Sequence, residues 1–361
     1  MSKVYFANLR SESKEDNLLS RIKKLYRKAS DGVDFEENEF IALKVHFGEK
    51  GIDTYLRPVR VAPIVEAIKD SGGKPFLADS NTLYKGSRSN AVDHHMTAQE
   101  NGWLRPVIDA PVIIADGLHG NEFYSEEIDG KHFEEVKIGA GFYQADQVCA
   151  ISHFKGHGMT GFGGALKNLG MGCASRAGKL MQHYDVQPKV NIEECIGCGE
   201  CAIWCPQEAI EVEKYAEIDY EECIGCGECR IVCPEDAIDV EDSSTEVEIQ
   251  EKIAEFAYGA LKNRGDRAVH FNFVMDVTPE CDCPPWRKEP LVHDIGVVAS
   301  KDPVALDQAS FDLVKEAIGK NYKSDQDKFK EVHDVDSNYQ LKHADEIGLG
   351  ERDYELIDIS K

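Results

Sequence analysis

Long apolar runs are missing from this sequence. No stretch of its 361 residues approaches the ~20 consecutive apolar residues that cross a bilayer, so no membrane span is expected. The opening MSKVYFANLRSESKEDNLL has no apolar segment of signal-peptide type, and export is not expected. Basic charge is also scarce: 41 Lys and Arg face 66 Asp and Glu, for a net charge of −25. Such a surface repels phosphate backbones, so nucleic acid is disfavoured as a partner. Neither a Walker loop nor a dinucleotide fingerprint occurs in the glycine-rich stretch. These absences leave a cytoplasmic protein whose 42% hydrophobic content suffices for one large and one small domain.

Cysteine is plentiful by contrast. Eight of the 12 cysteines crowd into the 39 residues 195–233, at spacings that suit metal thiolates better than disulfides. EECIGCGECAIWCPQEAIEVE (193–213) and EECIGCGECRIVCPEDAIDVE (221–241) agree at 16 of 21 positions, with a period of 28. Each copy is Cys-x2-Cys-x2-Cys-x3-Cys-Pro, in which the close triplet holds one cubane and the fourth cysteine serves the other. The spacing predicts two [4Fe–4S] clusters, one on Cys195, Cys198, Cys201 and Cys233, the other on Cys223, Cys226, Cys229 and Cys205. Gly197, Gly199, Gly225 and Gly227 would let backbone amides approach inorganic sulfide. A zinc site is the competing reading of Cys-x2-Cys, and two complete interleaved copies argue against it. The 189–242 region resembles the dicluster ferredoxin domain, which implies an α+β fold, an oxygen-sensitive protein and a redox partner protein.

This region reads as an insert between polar linkers, so residues 1–188 and 245–361 are expected to form one discontinuous domain. Apolar strands at 41–48, 74–80, 110–117 and 147–154 alternate with helical patterns at 18–26, 58–73 and 88–101. A hairpin is expected over 121–140, turning at Asp129–Gly130. The alternation predicts an α/β fold with a parallel sheet and right-handed crossovers.

The strands end in polar groups: His46-Phe-Gly48, Asp79-Ser80-Asn81, Asp116-Gly117 and His153-Phe-Lys155-Gly-His157. Sites in such sheets form outside the carboxyl ends of strands. A pocket is therefore expected where His46, Arg57, Asp79, His157, Lys167 and Cys281–Cys283 converge. Arg57, Lys155 and Lys167 would bind an anionic small-molecule substrate, His46 or His157 would supply protons, and Asp79 would orient a partner or bind metal. Gly161, Gly163 and Gly164 would let backbone amides cradle an anion or cofactor, with tight packing as the plain alternative. Cys149 reads as a buried small hydrophobe. Cys281 and Cys283 read as a metal, cluster or exchangeable-disulfide site, which Cys173 could join.

KVHFGE (44–49), YLRP (55–58), ADSNTLYKGSR (78–88), GFGGALKNLGMGC (161–173), CDC (281–283) and DIGVVASKDPVALDQA (294–309) together resemble the iron–sulfur centre proteins with domain of unknown function 362. That resemblance spans essentially the whole chain and implies the discontinuous domain without naming a reaction. The stretch His157…Gly161-Phe-Gly-Gly-Ala-Leu-Lys167…His183 is similar to the lactate racemase site that carries a nickel pincer cofactor. It implies that Lys167 attaches the cofactor, His157 acts as acid or base and His183 binds metal, with His94 or His95 as the second histidine. The sequence departs from that pattern at Gly163 and Ala165. Three functions follow: an iron–sulfur oxidoreductase passing electrons to the pocket, a pure electron carrier that docks partners, and a metal-dependent isomerase or hydro-lyase.

Overall fold

The computed structural model describes residues 1–11, 13–32, 34–183, 188–205, 207–223, 228–239, 245–264 and 266–360. The first stretch of chain builds β1 (Ser2–Asn8), α1 (Leu18–Ala29), β2 (Phe40–Lys44), α2 (Pro58–Asp70), β3 (Lys74–Asp79), α3 (Ala91–Glu100) and β4 (Val112–Ile114). A hairpin, β5 (Phe123–Glu127) with β6 (Glu135–Gly139), and the short α4 (Ala140–Tyr143) lead into β7 (Gln147–His153). A smaller hairpin follows, β8 (Lys155–His157) with β9 (Gly161–Gly163), then α5 (Ala165–Cys173) and α6 (Arg176–His183). The cysteine repeats contain β10 (Lys189–Val190), α7 (Glu200–Ile203), β11 (Ile210–Val212), β12 (Ala216–Ile218), α8 (Glu228–Val232) and β13 (Ile238–Asp239). After them come α9 (Glu246–Leu261), β14 (His270–Val274), β15 (Gly296–Ser300), α10 (Pro303–Glu316), α11 (Lys328–His333), α12 (Asn338–Glu346) and β16 (Tyr354–Asp358).

Eight strands form one mostly parallel sheet in the order β16-β1-β15-β14-β7-β2-β3-β4. The all-parallel expectation is corrected at one strand, because β15 runs against both β1 and β14. No helix intervenes between β14 and β15, and without a crossover helix the chain returns antiparallel. Every residue of β7 is buried because helices cover both faces of the sheet. Val148 and Ala150 pack into one apolar cluster with α5, α9 and α10, while Cys149 and Ile151 pack into another with α1 and α2. Cys149 thus has the core position expected of it.

The chain rejoins the main body at α9, where Thr245 and Glu248 cap the helix reciprocally. Within the repeat region β10 pairs with β13 and β11 with β12, so the two halves embrace each other. Its small core is built from Cys201, Cys229 and Cys233 with Ile210, Ala216, Ala237 and Ile238. A segment this short buries too little apolar surface to be stable by itself, and here thiols occupy a large share of its interior.

Candidate functional site

β2, β3 and β7 end side by side, and the loops that leave them surround a cavity of about 310 Å³. His46, Asp79, Lys155, His157, Gly163, Gly164, Lys167, His183, Cys281 and Cys283 all line it. Of the four polar strand ends, Asp116–Gly117 stays outside. Asp116 accepts from the Asn81 backbone and side chain, and burial pushes its carboxyl up to about 6.

Arg57 is not in the cavity. Pro58 opens α2, which leaves Arg57 as the exposed residue before the helix. The guanidinium that lines the cavity belongs to Arg88, 2% exposed. It donates to Glu49 Oε2 (3.2 Å), Asp79 Oδ2 (3.4 Å) and Tyr84 Oη (2.5 Å). Buried Lys44 sits 2.9 Å from Asp79 Oδ1 and donates to Asn168 Oδ1 at 2.8 Å. Asp79 is therefore held between two cations; burial works against its charge, and Lys44 together with His94 keeps its carboxyl well below the usual range. Its oxygens orient Lys44 and Arg88. His94 lies 3.4 Å from Asp79 and His95 faces Gln99 on α3; neither lines the cavity.

The glycines of 156–172 mostly serve packing. A β-carbon on Gly156 would stand 2.1 Å from Pro279 O, on Gly161 2.6 Å from Ser337 Cβ, and on Gly170 2.1 Å from Ile253 O. Gly161 has φ +71 and lies beside α12 instead of facing a ligand. The α5 N-terminus is likewise not free for an anion. Ala165 N and Leu166 N donate to Asp307, a buried carboxylate that also accepts from Asn272. Gly163 and Gly164 do reach the cavity, with the Lys167 stem 3.1 Å from where a β-carbon on Gly163 would be.

Lys155 donates to the carbonyl of His153, the last residue of β7, at 2.9 Å and pairs with Asp282 at 3.5 Å. Lys167 has no hydrogen-bond or ion-pair partner among the described residues, so its charge is available in the cavity. Beside it, burial and the Lys167 charge hold His157 and His183 below the ordinary imidazole range, His183 at about 4. Hydrogen bonding fixes one tautomer of His157, since Met159 N–H donates to Nδ1 at 3.3 Å and leaves the proton on Nε2. His46 is set the same way by Gly48 N–H, 3.2 Å from its Nδ1. Both rings are neutral N–H donors.

His46 Nε2 lies 3.6 Å from Cys283 Sγ. The residue between the two cysteines explains how both reach the cavity. Asp282 points the other way, 1% exposed, to His153 Nδ1 (2.9 Å) and Thr54 Oγ1 (3.3 Å), and its carbonyl accepts from Glu49 N. Cys281, His46 and Arg88 hold the Cys283 thiol well below its usual value, while Cys283 and burial push the Cys281 thiol up. Cys173 does not join them, being wholly buried in the core with its thiol pushed up to about 12 by burial.

A second cavity lies in the repeat region. Cys195, Cys198, Cys201 and Cys233 line it together with Ile196, Val212, Ala216, Ala237 and Ile238. Backbone N–H groups point at three sulfurs: Ala216 at Cys195 (3.5 Å), Ala209 at Cys205 (3.3 Å) and Ala237 at Cys233 (3.2 Å). The last two pairs are equivalent by the 28-residue repeat. Cys226, Gly225 and Gly227 lie outside the described residues. Among the described residues no group of three or more His, Cys, Asp or Glu converges as a single metal ion requires. The two cavities are linked through one loop: Lys85, next to the cavity residue Tyr84, donates to Cys233 O at 2.8 Å and pairs with Asp236 at 2.5 Å. His119 and Trp204 also pack edge to face, with ring centroids 5.2 Å apart.

Fold and site define a mixed α/β protein with a cationic, thiol-bearing pocket at the carboxyl edge of its sheet. The chain belongs to the family described as domain of unknown function (DUF362), which matches residues 41–312. The thylakoid-associated protein sll1697 of Synechocystis sp. is 26% identical over 141 residues, which are 39% of this chain and 40% of that protein. The chain thus spans about two fifths of that curated relative's length. The lactate racemase apoprotein from Thermoanaerobacterium thermosaccharolyticum is 13% identical, with 84% of this chain and 55% of that one covered at a TM-score of 0.40. No helix among the described residues is long and apolar enough to cross a membrane.

Proposed function

We propose that this protein is an iron–sulfur oxidoreductase that takes electrons from a redox partner protein and delivers them to the pocket at the sheet edge. The observation that carries the reading is the composition of the second cavity. Three cysteines of one repeat and the last cysteine of the other line it, as interleaved cubane ligation requires. A cubane takes each thiolate on a different iron, so its ligands need not converge on one point. Each cluster would supply one electron at a time. The N–H groups of Ala216, Ala209 and Ala237 stabilise thiolate charge, a known lever on cluster potential. In the pocket Lys167 attracts a small anionic substrate, and His46 and His157 offer neutral N–H donors to charge that develops on it.

Anaerobic purification tests this directly. About eight irons per chain, with absorbance bleached by dithionite, is the expected result, and Cys198→Ala should lose about half of the iron. Stoichiometric zinc without iron would overturn the proposal. A second reading, a metal-dependent isomerase or hydro-lyase, is favoured by the shared cavity of Lys167, His157 and His183. Nickel in the same metal analysis would select it, whereas about eight irons without any turnover-dependent change in the pocket would favour a pure electron carrier.

A further inference from the structure

We propose that Cys281 and Cys283 form a dithiol–disulfide couple that reduces a small anionic disulfide bound at Lys167. This rests on the oxidoreductase reading only for the source of its electrons. Geometry separates these two thiols from the others. Cys149 and Cys173 are sealed in the core, whereas Cys281 and Cys283 line a cavity sized for a small molecule. Both sulfurs open onto the cavity that Lys167 shares, so a molecule held there meets them. The buried Asp282 anchor holds the turn so that both sulfurs face the same space.

The pair is also asymmetric. Cys283 receives the Nε2–H of His46 and shares the cavity with the Cys281 thiol and Arg88, all of which favour its thiolate. Cys283 is therefore the attacking sulfur and Cys281 the resolving one. The Cys283 thiolate attacks one sulfur of the substrate, the substrate S–S bond breaks, and the departing thiolate takes a proton as a mixed disulfide forms on Cys283. Cys281 then loses its proton and attacks the Cys283 sulfur, expelling the second substrate thiol and closing the Cys281–Cys283 bond. The substrate gains two electrons and two protons in all; the cysteine pair gives up both electrons and the Cys281 proton, and solvent supplies the second proton. A two-residue spacing closes a small strained ring, so this disulfide is of the exchangeable kind. Two single-electron transfers from an iron–sulfur donor and two protons return it to the dithiol. Tyr84 and Lys85 provide the connection, since Tyr84 lines the cavity with Cys283 and Lys85 bonds the Cys233 carbonyl.

The test uses the anaerobic full-length protein and two disulfides of similar size and opposite charge, 3,3′-dithiodipropionate and cystamine. Mass spectrometry of the peptide holding Cys281 and Cys283 follows the reaction. The anionic probe should convert that peptide to its internal disulfide roughly tenfold faster than the cationic one. Lys167→Met should abolish the difference, and Cys281→Ser should stop at a mixed disulfide on Cys283. Equal rates with both probes in the unmodified protein, or no internal disulfide with either, would overturn the proposal. None of these readouts needs iron, so a protein found without clusters would refute the electron-transfer reading and leave this one standing.

Discussion

Cys283 is surrounded by groups that prefer its anion, namely Cys281, His46 and Arg88. A thiol held well below its usual range ionises at lower pH than an ordinary cysteine, and its reaction with iodoacetamide is expected to have levelled off between about pH 7 and 9. His46→Ala removes one N–H donor and should restore a rate that climbs with pH. A wild-type rate that already climbs across that interval would contradict the assignment. The arrangement was half legible in the sequence. CDC and the polar strand ends marked the site, because strand-end loops in such sheets gather at one edge. Arg88 was hidden for a physical reason: it follows β3 by a loop of nine residues, and no local pattern says which way a loop arginine turns. Lys44 was hidden inside a strand, where its aliphatic stem fits the apolar run and only its partner Asp79 gives it away. Asp282 passed as a spacer between two cysteines although its carboxylate positions them both.

At the scale of elements, α5 and α9 pack backbone to backbone through Gly170. An alanine there would gain helix propensity of about 1 kcal/mol. Its β-carbon would also meet the Ile253 carbonyl at 2.1 Å, and that clash should win. Gly170→Ala is expected to cost roughly 1–3 kcal/mol, by analogy with overpacked cores. Gly158→Ala, in the same glycine-rich stretch with nothing within 4 Å, should change stability by no more than about 0.5 kcal/mol. Urea titration of the two variants decides the matter, and equal stabilities would show that the α5–α9 contact yields easily. The sequence displayed these glycines without distinguishing them. Close approach to a ligand and close approach to another helix demand the same residue, and only the partner tells them apart.

Among the described residues, polar and ring contacts join the repeat region to the rest of the molecule. Lys85 with Cys233 and Asp236, and His119 with Trp204, are polar or partly exposed pairings at the surface. Exposed ion pairs contribute ~0–1 kcal/mol each. Replacing residues 189–242 by a short linker should therefore leave a folded α/β body with native near-ultraviolet circular dichroism. A molten product would mean that the repeat region supports the sheet. The alternation of strand and helix made the first half of the sheet readable. β1, β14, β15 and β16 were not, because the long-range pairing that seats β15 antiparallel between β1 and β14, with β16 beside β1, leaves no periodic mark in the chain.

The neighbours β7 and β14 sit at the centre of the sheet, yet the contact between Ala150 N and His270 Nδ1 joins residues 120 apart. During synthesis β7 emerges long before β14, and everything in the cysteine repeats must be translated in between. Until then one edge of a strand that ends up wholly buried stays open, a template for pairing with another nascent chain. Closing so long a loop slows folding, and a compact intervening segment shortens the loop that has to be closed. Early cluster loading, by drawing 189–242 together, would then act on yield before it acts on chemistry. Iron-starved expression should show this as a larger insoluble fraction for the intact chain than for the version with residues 189–242 removed.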